Sequence, residues 1–376
     1  MTARRPASRR VALVSAAHAK GGAEVVIELL AERLGAHGVT PVLAAPEGGE
    51  LLERWRQSGH DVCPMPALGR LRRVDQGARA VVELAKRFRA SAIALVHSHG
   101  VAAHIYGGLA ARRLGLPAIH HSHDLFDSRW SADGALQRFA LRVPADRTIA
   151  ISSTVAAALR GRVPADRLVV IADGVDRRIV AASERDPASP LVVWCGRLQR
   201  WKGAHLFVAA CREVAAANAR VRFAIVGGAL FGLEPVYTAE LMAVVKNAGL
   251  EERLVFAGHV DDARVWLRGA TVLVHSSDRP EPFGLVMAEA MMQERAVVAF
   301  RHGGAAEIVL DGVTGRLVSP GDVLALGRAI SEVVADSAKA TAMGLAGRKR
   351  ALQYFDADGM TASVAGVYDS LRHPNV

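Results

Sequence analysis

Short β-branched runs alternate with amphipathic stretches along almost the whole chain, and the alternation runs twice. In the first half the runs are VALVS (11–15), PVLAA (41–45), DVCPM (61–65), AIALVHSH (92–99), PAIHHS (117–122), TIAIS (148–152) and LVVI (168–171). The segments between them place apolar residues at helical spacing, as Val25, Val26, Leu29, Leu30 and Leu34 do. Strands that alternate with helices of about 10–15 residues predict βαβ units and a doubly wound parallel sheet. From 173 to 190 the pattern lapses into DGVDRRIVAASERDPASP, with two prolines, mixed charges and no periodic face, which reads as a linker. The alternation then restarts with LVVWC (191–195), VRFAIVG (221–227), RLVFAG (253–258), TVLVHS (271–276) and AVVAF (296–300). A second, similar sheet is expected, and helical stretches at about 338–352 and 357–372 finish the chain. Sheets of this kind bind ligands outside the carboxyl ends of their strands, so the two are expected to face each other across a central cleft.

The chain's 376 residues exceed what one hydrophobic core holds, about 250–300, which agrees with two domains. Three cysteines, at 63, 195 and 211, are odd in number and widely spaced, so neither a disulfide framework nor a zinc cluster is expected and a reducing compartment fits. No apolar run approaches the roughly 18–20 residues of a membrane span. The start, MTARRPASRR then VALVSAAHA, imitates a signal peptide. Val11 to Ser15 is short for a signal core, however, and runs straight into a glycine turn and a helical pattern, so it reads as a first strand. The net charge of +10 lies wholly in residues 1–180, which hold 26 Lys+Arg against 16 Asp+Glu, while 181–376 hold 21 against 21. A basic first half attracts anions such as phospholipid headgroups or acidic glycans.

The turns carry the chemistry. After LVVWC, residues 196–203 (GRLQRWKG) set Arg197 and Lys202 on a glycine-flanked turn before a helix over 205–217. A planar fork and a point charge suit a diphosphate, and the alternative is a pair of solvated loop charges. Lysine at 202, one of only six in the chain, weighs against that alternative. In EPFGLVMAE (281–289), Pro282 excludes helix and Gly284 opens one over about 285–293, so the backbone N–H groups of Gly284, Leu285 and Val286 form an anion site. Glu281 lies before that helix and Glu289 one turn inside it, so they are not an acid/base pair. Separate roles on sugar and ribose hydroxyls fit better, against the alternative of turn and surface residues. Lys20-Gly21-Gly22 and Gly227-Gly228 read first as structural turns and second as close approaches to a ligand. His97 and His99, ending a strand, are expected to point to opposite faces, one packing and one looking into the site. His120, His121 and His123 suggest a metal, but their spacing is poor for one.

These motifs closely resemble the retaining, GT-B-fold glycosyltransferases of family 4, in the order GRLQRWKG (196–203), FAIVGGALFG (223–232), LVFAGHV (254–260), EPFGLVMAEAM (281–291) and GGAAEIVLDGVTGRLV (303–318). The first half agrees more loosely through KGGAEVVIELL (20–30), VHSHG (96–100), the HD at 123–124 and VIADGVD (170–176). The resemblance implies two Rossmann-like domains, 1–175 for the acceptor and 176–355 for the nucleotide sugar, with a C-terminal helix over 356–376 returning to the first. It implies that Arg197 and Lys202 hold the donor diphosphate with the amides of Phe283, Gly284 and Leu285, that Glu281 touches the transferred sugar and Glu289 the ribose. Gly21, Gly22 and Gly228 would approach the donor, and His99, with His123 and Asp124, would serve the acceptor or sugar side. Asp173 stands where the family usually has Asn, and Ala172 where it has Pro, which puts the geometry of that turn in doubt.

The implied reaction moves a hexose-type sugar from a nucleoside-diphosphate sugar to a glycan, lipid-linked or small-molecule acceptor, with retention of configuration, no metal and no cofactor. The expected partners are that donor, a sugar or lipid-linked acceptor and an anionic membrane surface, with no nucleic acid. The expected location is cytoplasmic, at the inner face of the cell membrane. Two alternatives remain open, a sugar-nucleotide epimerase or phosphorylase on the same fold and a non-catalytic nucleotide-sugar-binding subunit.

Overall fold

The computed structural model describes residues 8–66, 74–126, 132–178, 188–229, 234 and 236–371. The chain divides into two compact units, Met1–Gly174 with Ala357–Val376, and Val175–Asp356. Of the expected linker, residues 179–187 lie outside the described residues, as do 1–7 of the signal-like start and 230–232 of the FAIVGGALFG motif.

The first unit holds a seven-stranded sheet of β1 (Arg9–Val14), β2 (Val39–Pro46), β3 (Val62–Met65), β4 (Leu95–His99), β5 (Ala118–Ser122), β6 (Arg147–Ala150) and β7 (Leu168–Val170). Every pairing is parallel, and the order is β3-β2-β1-β4-β5-β6-β7. All five residues of β4 and of β5 are buried, as strands covered by helices on both faces require. The strand expected from 92 begins only at Leu95. Ala92 adopts a left-handed φ of 52° in the turn that ends the preceding helix, and its N–H bonds Arg89 O.

The second unit repeats the plan with β8 (Leu191–Cys195), β9 (Arg222–Val226), β10 (Leu254–Gly258), β11 (Val272–His275), β12 (Ala296–Phe300) and β13 (Gly315–Val318), all parallel, in the order β10-β9-β8-β11-β12-β13. Its core includes Phe207 and Phe223, whose rings meet edge to face at 6.4 Å. β13 is absent from the expected strands. It is short, carries Arg316, and lies at the edge of the sheet, paired only with β12.

The two closing helices run Ser337–Tyr354 and Ala357–Ser370. The first belongs to the second unit and the other to the first unit. There the Arg9 guanidinium donates to Tyr368 O at 2.7 Å and Arg33 pairs with Asp358 at 2.9 Å. A Cβ on Gly174 would lie 2.6 Å from Ala357 Cα, so only glycine lets the chain pass the start of that helix. Cys63, Cys195 and Cys211 are free thiols, and no helix among the described residues is long and apolar enough to cross a membrane.

Candidate functional site

In each sheet the strand order reverses at one place, between β1 and β4 in the first unit and between β8 and β11 in the second. The turns at the carboxyl ends of such strands are where open α/β sheets hold ligands.

In the second unit these turns are residues 196–203 after β8 and residues 276–284 after β11. The first is pinned by backbone: Gly196 N–H bonds Val226 O at 2.9 Å and Leu198 N–H bonds Gly228 O at 3.0 Å. Gly227, at φ 130°, packs so closely that a Cβ would lie 1.9 Å from Gly196 O, so the Gly227-Gly228 turn supports the Arg197 turn. Gly203 is left-handed at φ 73°, and a Cβ there would lie 1.8 Å from Ser276 O. The turns interlock further through Ser276 Oγ to Gly203 O at 2.8 Å and Asp278 N–H to Trp201 O at 2.9 Å. This contact brings together residues 79 apart in sequence: Lys202 Nζ donates to Glu281 Oε1 at 2.6 Å.

Glu281 is 5% exposed, and its Oε1 also accepts from Ser277 Oγ at 2.7 Å and His275 Nε2 at 3.0 Å. His302 Nε2 donates to Ser277 O at 2.9 Å and fixes the segment that carries Ser277. Burial alone would raise the Glu281 carboxyl, but Lys202 and His275 outweigh it and hold it well below the ordinary carboxylate value. Oε2 receives no hydrogen bond among the described residues, which leaves it able to accept from a ligand hydroxyl. His275 and Ser277 are missing from the candidates read from sequence. Their signal was the polar HSS that ends an otherwise apolar strand.

The helix Leu285–Met292 starts at Gly284, which takes φ 102° and leaves the helix without a side-chain cap. Phe283 is buried, while Leu285, Val286 and Glu289 are half-buried. Gly303 and Gly304 lie beneath this turn: a Cβ on Gly304 would lie 2.0 Å from Phe283 O, and Gly304 N–H bonds Glu281 O at 2.9 Å. Burial raises the Cys195 thiol at the end of β8 and the Glu289 charge adds to it, while the hydrogen bond to Asp262 raises the Arg264 guanidinium, again with a contribution from Glu289. Arg197 is exposed and forms no ion pair among the described residues. Lys202, 18% exposed at its side chain, also sits 4.4 Å over the Trp201 ring.

In the first unit Gly21 precedes the helix Gly22–Arg33, and Gly22 is exposed. The Glu24 carboxylate turns back to accept Gly21 N–H at 2.9 Å and Ser15 Oγ at 2.7 Å. The expectation that His97 and His99 face opposite ways is corrected. Side chains two apart on a strand share a face, and their rings lie 4.4 Å apart. His121 and His123 join them from the neighbouring strand β5 and the turn after it, at ring distances of 4.8 Å (His99–His121) and 5.2 Å (His99–His123). The poor metal spacing concerned only 120, 121 and 123; folding instead groups His97, His99 and His121, and separately His121, His123 and Asp173. Burial pushes His97 down to about 3, with the His123 charge adding to it, and it pushes His99 and His121 well down. His123 behaves oppositely. Burial lowers it, but Asp173, at 3.7 Å from Nδ1, together with Asp124 and Glu24, outweighs burial and raises it. Asp173 is thus buried beside a histidine, and Asp124 is exposed.

The depressed Glu281 carboxyl sets a sign for pH. It contributes stability above the ordinary carboxylate value, 4.5, which is lost as pH falls toward the lower folded value. Denaturant melts of wild type from about pH 6 to about pH 3 are expected to fall more steeply than those of Glu281→Gln. Equal slopes would show that Glu281 carries no such charge.

Residues 20–178 match the model of glycosyltransferase family 4, and residues 189–336 match the model of glycosyl transferases group 1. The chain is 36% identical over 189 residues to the lipopolysaccharide core biosynthesis mannosyltransferase LpcC of Rhizobium leguminosarum bv. viciae, covering 50% of this chain and 53% of that protein. It therefore spans about half the length of this curated relative. It is 31% identical over 301 residues to the alpha-maltose-1-phosphate synthase of Mycolicibacterium smegmatis, covering 71% of this chain and 76% of the synthase. Among solved structures, Anabaena HepE in complex with UDP and glucose superposes with a TM-score of 0.85 at 26% identity, over 97% of this chain and all (100%) of that one. The sucrose-phosphate synthase of Thermosynechococcus elongatus shares the fold, with a TM-score of 0.78 at 22% identity over 96% of this chain and 99% of that one. With parallel Rossmann-like sheets in both units and these relatives, the chain belongs to the group 1, family 4 glycosyltransferases of GT-B fold.

Proposed function

We propose that this protein transfers a hexose-type sugar from a nucleoside-diphosphate sugar to a glycan, lipid-linked or small-molecule acceptor, with retention of anomeric configuration. The observation that carries the reading is the Lys202–Glu281 contact at the β8/β11 reversal, with Arg197 on the same turn. Lys202, oriented by Glu281, and Arg197 neutralise the charge that grows on the departing diphosphate. The N–H groups at the start of the uncapped helix Leu285–Met292 add to them. The Glu281 Oε2 accepts from a hydroxyl of the transferred sugar, and Glu289 from the ribose. Gly228 allows the second unit's backbone to approach the donor, and the exposed Gly22 offers a like turn in the first unit. The acceptor hydroxyl attacks the face from which the diphosphate leaves, and neither a metal nor a cofactor takes part at the diphosphate. On the acceptor side stand His123 and Asp124, with buried His99 holding His123 through Nδ1···Nε2 at 3.0 Å. The names of relatives agree with this class: LpcC is called a mannosyltransferase, and HepE is solved with UDP-glucose.

Arg197→Ala combined with Lys202→Ala is expected to lower nucleoside-diphosphate release from the preferred donor of a UDP-, GDP- and ADP-sugar panel by about 10²-fold or more. Turnover within about threefold of wild type would contradict the assignment. Product NMR reads the anomer, and an inverted product would refute retention.

The charge in residues 1–180, 26 basic against 16 acidic, supports a peripheral position at an anionic inner membrane surface and a lipid-linked or otherwise anionic acceptor. Binding to anionic liposomes is expected to exceed binding to neutral ones at low salt and to weaken as salt rises. Equal partitioning would refute it.

A further inference from the structure

Four histidine rings share one face at the carboxyl ends of β4 and β5, because His99 pairs in register with His121 and both His97 and His123 lie two residues from one of these. Three of them converge most closely. The His97, His99 and His121 ring centroids are 4.4, 4.8 and 5.1 Å apart, and each ring offers a nitrogen within 4.8 Å of the others'. His97 and His121 are fully buried and His99 is 4% exposed.

The hydrogen bonding of this group is incomplete in a particular way. His97 Nδ1 meets the Tyr368 hydroxyl at 2.7 Å, and His99 Nδ1 meets His123 Nε2 at 3.0 Å. The Nε2 atoms of His97 and His99, and both ring nitrogens of His121, have no hydrogen-bond partner among the described residues. A buried polar atom left this way has lost its water without a replacement partner, and here several gather at one point. Ligand histidines have the opposite nitrogen engaged by a partner that orients the ring, and two of these three already do.

We propose that His97, His99 and His121 bind a divalent transition-metal ion of the zinc class through ring nitrogens, with Tyr368 and His123 orienting two of the rings and a fourth coordination position left to water. An all-imidazole set selects zinc, nickel, cobalt or copper over magnesium and calcium. Zinc–nitrogen bonds of about 2.0–2.1 Å put ligand nitrogens about 3.4 Å apart, so the present spread closes by ring rotations. The alternative set of His121, His123 and Asp173 is less suited. His123 already meets His99 through Nε2 and the Asp173 carboxylate through Nδ1. The site does not touch the diphosphate chemistry; the ion fastens the ends of β4 and β5 to the helix that carries Tyr368.

Full-length protein without a histidine tag, stripped with chelator, is titrated with Co²⁺ alone by visible absorption and with Zn²⁺ alone by calorimetry. One equivalent is expected, with d–d bands of a four- or five-coordinate ion that Zn²⁺ displaces. His97→Gln and His121→Gln are each expected to weaken binding by more than about 100-fold, beyond the 10–100-fold of losing an orienting partner. Asp173→Asn, and His302→Gln in the other unit, are expected to retain it. Circular dichroism checks that the variants fold, and His97→Gln decides if His121→Gln does not. Wild type binding no more tightly than these ligand variants would overturn the proposal and leave the gap to water. Loss in Asp173→Asn with retention in His97→Gln would overturn it in favour of the other set.

Discussion

The carboxylate of Glu281 is the point on which the second unit's site depends. One oxygen gathers an ammonium, an imidazole and a hydroxyl, so a charge that is costly to bury becomes stable inside the protein. The same contact ties the turn after β8 to the turn after β11 and holds Lys202 where the two strands' carboxyl ends meet. Two glycines make this possible: Gly203 passes against Ser276, and Gly304 passes beneath Phe283, at distances no side chain permits. The fold itself therefore holds the cation in place, which is what the electrostatic role proposed for Lys202 asks of it.

Much of the fold is legible because parallel sheets bury whole strands, which appear as continuous apolar runs. LVVWC and AVVAF become β8 and β12 with the bounds read from sequence. Where that signal thins, the reading fails for physical reasons. GRLV makes an edge strand in spite of its arginine, and Ala92 leaves the apolar run because a helix end demands a left-handed residue.

The candidate site is legible to a different depth. Arg197, Lys202 and Glu281 stand out as charged residues in glycine-bearing turns, and Glu289 as one turn inside the helix that follows, which separates the two glutamates. No local pattern tells that Lys202 and Glu281 touch, because strand order makes that contact across 79 residues. The partners His275, the last residue of β11, and Ser277, in the turn after it, carry no motif of their own, and only the fold brings them to Glu281. The histidines show the reverse. Each is visible in sequence, but only the β4/β5 register and the two-residue period of a strand bring them onto one face.

The central claim is that the second unit recognises the diphosphate of its donor through this turn, and calorimetry of ligand binding to wild type and Arg197→Ala tests it. Arg197 is exposed and outside any ion pair among the described residues, so its removal leaves the fold's contacts in place. The preferred nucleoside diphosphate is predicted to bind Arg197→Ala about tenfold or more weakly than wild type, as loss of a charge-assisted hydrogen bond brings, while the bare nucleoside binds both alike. An equal loss for the nucleoside, or no loss for the diphosphate, would contradict the account.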